Sequence, residues 1–179
     1  MIRFNKYEHK KFLILISDLI RKVSKGDRLS SISNKVGALI KIEANNRKKK
    51  VTVVDFGCGS MEISKKLKNK NYIKKIVGSD IFKYKYKSNK IAYIDNYELF
   101  KKREKFDIIF VVDVLHHVGV EDAFKIIKKL SKLSSNIIIK DHFEHGFLSR
   151  QLLRFVDFYA NYGYGVNVPK KYFNKISWK

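Results

Sequence analysis

Cysteine and proline are nearly absent from this 179-residue chain, which holds one of each, Cys58 and Pro169. A single cysteine excludes a disulfide framework and a cysteine-based zinc site, and it fits a reducing, cytoplasmic setting. Long apolar runs are missing as well. The longest near the N-terminus, Phe12 to Ile16, falls far short of the roughly 18 residues of a membrane span and lacks the flanks of a cleaved signal. No transmembrane segment is expected. Acids are scarce: 17 Asp plus Glu stand against 39 Lys plus Arg, for a net charge of +22.

That charge has two readings. One is an anionic partner such as RNA, a lipid surface or a phosphorylated substrate. The other is the codon bias of an AT-rich genome, which enriches Lys, Ile, Asn, Tyr and Phe but does not account for so few acids. A hydrophobic fraction of 45% with 13% aromatics is that of a folded chain, and 179 residues suffice for one domain with a sizeable core.

Within a single domain, 1–179, three stretches differ in pattern. Residues 1–50 form a helical preface. Phe12, Ile16, Leu19, Ile20 and Val23 recur at helical spacing over 7–24. Ser30, Ser31 and Ser33 are expected to cap a second helix carrying Val36, Leu39, Ile40 and Ile42, which NNRKKK at 45–50 ends. From Val51 to residue 145, short apolar runs alternate with helical segments. VTVVDF (51–56), KKIVGSD (74–80), IAYI (91–94), FDIIFVVDV (106–114) and NIIIKD (136–141) read as strands. Helices are expected at 61–70, 97–102 and 120–133. Near-continuous apolar strands are those buried on both faces of a parallel sheet, so the fold class is α/β. Residues 146–179 supply a helix over 146–163 and an aromatic tail with Tyr172, Phe173 and Trp178.

The turn after the first strand carries the chemistry. Asp55-Phe56-Gly57-Cys58-Gly59-Ser60 stands where an open parallel sheet binds ligands, outside the carboxyl ends of its strands. Gly57 and Gly59 permit a tight turn and close backbone approach. A dinucleotide fingerprint needs a third glycine where Glu62 stands, and that acid would repel a pyrophosphate; no P-loop lysine follows either. What remains is an acid, Asp55, opening the turn and a second, Asp80, closing the next strand. The pair suits a nucleoside with a cationic amino-acid tail, because a carboxylate accepts hydrogen bonds from ribose hydroxyls.

These residues resemble the class I S-adenosylmethionine-dependent methyltransferases. VVDFGCGSM matches their first motif except that Met61 replaces its third glycine, a position taken to concern helix packing. FDIIFVVDVLHHV (106–118) is similar to the fourth-strand motif, especially in the small-molecule branch related to quinone biosynthesis, and IIIKD (137–141) to the fifth strand. The resemblance implies a Rossmann-like open parallel sheet with helices on both faces, an N-terminal helical extension, and S-adenosylmethionine as cofactor. It implies that Asp55, Gly57, Cys58 and Gly59 wall the methionine side, that Asp80 holds the ribose with Ile81 against the adenine, and that Asp95 and Asn96 lie near the adenine amino group. Asp113, Val114 and Leu115 would line the methyl-presenting side. The family's usual last two strands find no counterpart after Asp141. The exposed sheet edge this leaves is an association hazard, so either a homodimer or a docked tail is expected.

His116 and His117 after the fourth strand and His142 after the fifth are the candidate general bases, since histidine titrates near neutrality. Without further spaced acids or cysteines they do not read as a metal cluster. Asp113 and Lys140 would fill two of four places in the Lys-Asp-Lys-Glu set of ribose 2′-O-methyltransferases. DVLHH lacks the prolines of exocyclic-amine enzymes, and the sole cysteine sits in the cofactor loop. The sequence therefore points to methyl transfer onto oxygen or carbon of a small apolar or anionic acceptor. RNA methylation on the basic surface and an inactive binding relative are the alternatives.

Overall fold

The computed structural model describes residues 11–82, 88–161 and 166–176, and of 11–18 and 20–27 the backbone alone. Two compact units make up the chain, one built from Arg28–Val112 and Phe124–Lys140, the other from the remainder.

The first unit holds the sheet. Five parallel strands, β1 (Val51–Phe56), β2 (Ile73–Asp80), β3 (Ile91–Asp95), β4 (Ile108–Val112) and β5 (Ile137–Lys140), lie in the order β3-β2-β1-β4-β5. The chain starts at the centre, winds outward through β2 and β3, then returns to β4 beside β1. Strand order thus reverses between β1 and β4, which makes their carboxyl ends the ligand crevice of a Rossmann-like α/β sheet. Val51, Val53, Val54, Ile108, Ile109 and Phe110 are wholly buried, as the apolar runs require. Asp107, just before β4, accepts the Thr52 N–H at 2.8 Å and the Thr52 hydroxyl at 2.9 Å, and Lys49 lies 2.9 Å from its other oxygen. That contact ties the start of β4 to the start of β1.

Helix α1 runs unbroken from Lys11 to Asn46, so the expected boundary at Ser30–Ser33 does not exist. The serines are absorbed rather than capping: the Ser33 hydroxyl donates to the Leu29 carbonyl at 2.6 Å, one turn back. No proline interrupts the segment, and Ile32, Val36, Ile40 and Ala44 form one buried stripe in the core with Leu67, Ile73 and Ile76. The shorter helices are α2 (Glu62–Leu67), α3 (Asn96–Lys101) and α4 (Val120–Leu130). Helix α4 stops three residues before the expected end, Leu133 closing a turn onto the Leu130 carbonyl at 2.8 Å.

In the second unit, a 3₁₀ turn (Leu115–His117) and the segment after Lys140 meet helix α5 (Phe147–Asn161) and the tail. Tyr172 and Phe173 are buried, Phe143 forms a parallel bridge with Phe173, and the Glu144 N–H donates to the Phe173 carbonyl at 2.8 Å. The Glu144 carboxylate holds Arg150 through two bonds of 2.7 Å and accepts the Tyr172 N–H at 3.0 Å. The expected helix end at 162–163 lies outside the described residues, as does Trp178. Among the described residues no helix is long and apolar enough to cross a membrane.

Candidate active site

At the carboxyl end of β1 the backbone turns left-handed at Gly57 (φ 71°) and Gly59 (φ 47°), conformations glycine adopts at little cost. The turn is anchored on β2, because the N–H groups of Gly57 and Cys58 donate to the Ser79 carbonyl at 2.7 and 3.1 Å. Asp80 completes the anchor. Its Oδ2 accepts the Gly59 N–H at 2.8 Å, while its Oδ1 accepts those of Ile81 and Phe82 at 2.7 and 3.1 Å. Three of the carboxylate's roughly four acceptor directions are thus filled by backbone. Tyr93 supports the same point by sharing its hydroxyl proton between the Asp80 carbonyl, at 3.0 Å, and that of Phe82.

Asp55 lies below this turn, buried, with Oδ2 accepting the Ser64 hydroxyl at 2.6 Å. Burial raises its carboxyl, the Ser64 hydroxyl opposes the rise and the Asp80 charge adds to it, leaving the group at about 7. Cys58 is buried too, and burial pushes its thiol well above the ordinary range, which marks a packing residue rather than a nucleophile.

Met61 stands where the family motif has its third glycine. It is the N-cap of α2 in the left-handed region (φ 58°, ψ 29°), without a side-chain cap bond, and completely buried. Its thioether fills space that only a glycine at 78 leaves open: a Cβ at Gly78 would stand 2.9 Å from Met61 Cε and 3.1 Å from Cys58 Sγ. Gly78 is paired in register with Asp55. A glycine is therefore favoured at position 61 by backbone conformation, and methionine is accommodated by the missing side chain across the ladder.

Asp95 caps α3, accepting the Glu98 N–H at 2.8 Å, and Asn96 Oδ1 accepts the Ser79 hydroxyl at 2.7 Å, both at the carboxyl edge of β2 and β3. Ile81 and Phe82 are nearly half exposed beside Asp80. The structure thus brings Asp55, Gly57, Cys58, Gly59, Asp80, Ile81, Asp95 and Asn96 to one end of one sheet.

In the other unit, the three candidate histidines occupy different environments. His116 is buried, with Nδ1 bonded to Asp141 and Nε2 3.4 Å from Asp157 Oδ2. Burial works against its charge, but the two carboxylates outweigh that and push it up to about 9. His117 goes the other way: burial and the neighbouring His116 charge bring it down to about 4, while its Nδ1 lies 3.0 Å from the Asn167 carbonyl. His142 is partly exposed, with Nε2 3.3 Å from Asp113 Oδ1. Asp113 itself has a positive φ of 56°, Val114 precedes the 3₁₀ turn as its N-cap, and Leu115 is fully buried.

A protein-family model described as a methyltransferase domain matches residues 18–174. The chain belongs to that methyltransferase family. S-adenosylmethionine is the family's methyl donor. No curated protein matches the sequence. Among solved structures, the plantazolicin methyltransferase BamL is 16% identical with a TM-score of 0.57, over 87% of this chain and 62% of BamL. The sugar N-methyltransferase KedS8 from Streptoalloteichus sp ATCC 53650 is 11% identical with a TM-score of 0.55, over 82% of this chain and 59% of KedS8. WbdD is 19% identical with a TM-score of 0.48, over 65% of this chain and 32% of that chain. The chain thus spans less than two thirds of the length of each of these proteins, and the likeness is one of fold.

Two features of this methyltransferase domain were not visible from its sequence. Asp141 accepts the N–H groups of Leu115, His116 and His142 at 2.8, 3.3 and 2.7 Å besides the His116 ring, so it organises the histidine segment. Asp157, buried on α5, accepts the Tyr172 hydroxyl. The only sequence signal was an acid inside FVDFYA, an otherwise apolar helical stretch. Lysines gather away from the glycine turn in two clefts. One is lined by Lys41, Lys48, Lys49 and Lys50, the other by Lys102, Arg103, Lys105 and Lys132. Most of these residues directly precede β1, β4 or β5, which puts both clefts toward the amino ends of the parallel strands.

Proposed function

We propose that this domain transfers the methyl group of S-adenosylmethionine to an oxygen or carbon of a small apolar or anionic acceptor. The observation that carries the reading is Asp80 clamped onto the Gly59 N–H at the switch point of the sheet. There a carboxylate with one acceptor direction left over meets a ribose hydroxyl, and the exposed faces of Ile81 and Phe82 offer an apolar wall to the adenine. Asp55, held near neutrality in its titration, faces the cationic amino-acid end. Asp95 and Asn96 complete the adenine side.

The transfer is an in-line displacement. The acceptor gives up its proton to a base, its lone pair attacks the methyl carbon, and the carbon–sulfur bond breaks to leave S-adenosylhomocysteine. His142 is the base best suited to the task, being partly exposed and oriented by Asp113 at 3.3 Å. His116 is instead buried, with its two ring nitrogens turned toward Asp141 and Asp157.

Calorimetric titration of the whole chain with S-adenosylhomocysteine tests the donor site: one-to-one binding is expected, and no heat and no displacement of a labelled donor refutes it. His142→Ala is expected to lower turnover while leaving that affinity unchanged. Loss of both together would make His142 structural.

A further inference from the structure

The paired histidines of the 3₁₀ turn meet an acid from α5: one ligand atom from each of His116, His117 and Asp157 lies within 4.8 Å of the others. We propose that this trio binds a divalent transition-metal ion, through Nε2 of His116, the second ring nitrogen of His117 and a carboxylate oxygen of Asp157.

The Nδ1 contacts orient both rings for the task. A carbonyl accepts only, so the 3.0 Å contact from His117 Nδ1 to the Asn167 carbonyl places the proton on Nδ1 and the lone pair on the other nitrogen. His116 is oriented likewise by Asp141 on its Nδ1. A ring N–H held by a carboxylate or carbonyl is the usual outer support of a metal-bound histidine. Asp141 is itself fixed by three backbone N–H groups, and Asp157 by the Tyr172 hydroxyl and by Asn161 Nδ2 at 3.3 Å.

His116 Nε2 is completely buried yet has no hydrogen-bond partner among the described residues. Its separation of 3.4 Å from Asp157 Oδ2 is that of two ligands each about 2.0–2.1 Å from one tetrahedral ion, which stand roughly 3.3 Å apart. Charge also balances, since a dication offsets Asp157 and Asp141. A proton on His116 satisfies that ring and Asp157 but makes no use of His117. Two imidazoles and a carboxylate suit Zn²⁺ and its neighbours, and three protein ligands leave a fourth position for water or another oxygen.

The test uses the whole chain, stripped with a chelator and titrated with Zn²⁺ by calorimetry at pH 8, with bound metal counted by elemental analysis. One ion per chain and a higher melting temperature are expected. Asp157→Asn strands a buried histidinium and endangers folding, so His117→Gln is the decisive variant. It spares the His116–Asp141–Asp157 contacts and is expected to weaken zinc binding by at least about tenfold. No stoichiometric zinc, or equal binding by wild type and His117→Gln, overturns the site. Titration of the same samples with S-adenosylhomocysteine keeps the two readings apart. Donor binding without zinc sinks only the metal site; zinc uptake lost in His117→Gln but without donor binding upholds it and sinks the donor reading.

Discussion

Asp80 reaches back from the end of β2 to accept the backbone N–H of Gly59 at 2.8 Å, so the glycine turn and the carboxylate proposed to hold the ribose are one mechanical piece. On that proposal, donor binding and turn geometry are coupled through a single side chain.

Replacing that side chain affects both. Asp80→Ala is expected to weaken S-adenosylhomocysteine binding by about 1–3 kcal/mol, the cost of a lost charged hydrogen bond. Asp80→Asn keeps one acceptor oxygen and is expected to fall between the two. Calorimetry on the three proteins checks the order.

The Asp55 carboxyl is raised to about 7, so the proposed placement of the donor's cationic end beside it predicts a pH signature of binding. A cation brought beside it favours the ionised form, so binding releases a proton below about pH 7. Affinity is expected to rise as pH goes from 6 toward 8 and then level off, and Asp55→Asn is expected to flatten the curve. Titrations in buffers of different ionisation enthalpy measure the proton directly.

Gly78 and Met61 share one volume. Gly78→Ala pushes a methyl to 2.9 Å from Met61 Cε and is expected to destabilise by about 1–3 kcal/mol, as overpacking does. In a Met61→Gly background the same change is expected to cost far less. A denaturant-melt double-mutant cycle reads the coupling, and additive effects would show that the two sites do not meet.

Asp107 makes the amino ends of β1 and β4 sensitive to acid. Burial opposes its charge, but the Thr52 N–H and hydroxyl and the Lys49 cation outweigh burial and hold the carboxyl below its ordinary value. A depressed folded-state value means that the contribution is full above the unfolded value and is lost as pH falls through the folded one. Asp107→Asn is expected to lose about 1–3 kcal/mol at pH 7. The difference from wild type is expected to shrink below pH 4 in urea melts.

The strands were legible because each is an apolar run bounded by charge or glycine, and burial on both faces leaves little freedom in where such a run begins. VTVVDF coincides with β1, and the other four fall within two residues of their expected ends. The serine boundary in α1 failed for a local reason: serine caps a helix only where the chain has cause to stop, and the buried stripe through Val36 and Ile40 continues the register. Asp80 and the glycines were legible from spacing along neighbouring strands. Asp141 and Asp157 were not, because their partners come from separate segments brought together only in the folded unit. Nothing in IIIKD or FVDFYA says that both acids face one imidazole.

Met61 and Gly78 also constrain how this turn can change over generations. A methionine at 61 is easiest to place where 78 lacks a side chain, because a Cβ there would stand 2.9 Å from its Cε and 3.1 Å from Cys58 Sγ. Gaining a side chain on β2 would ask the thioether to swing aside or the loop to give it up.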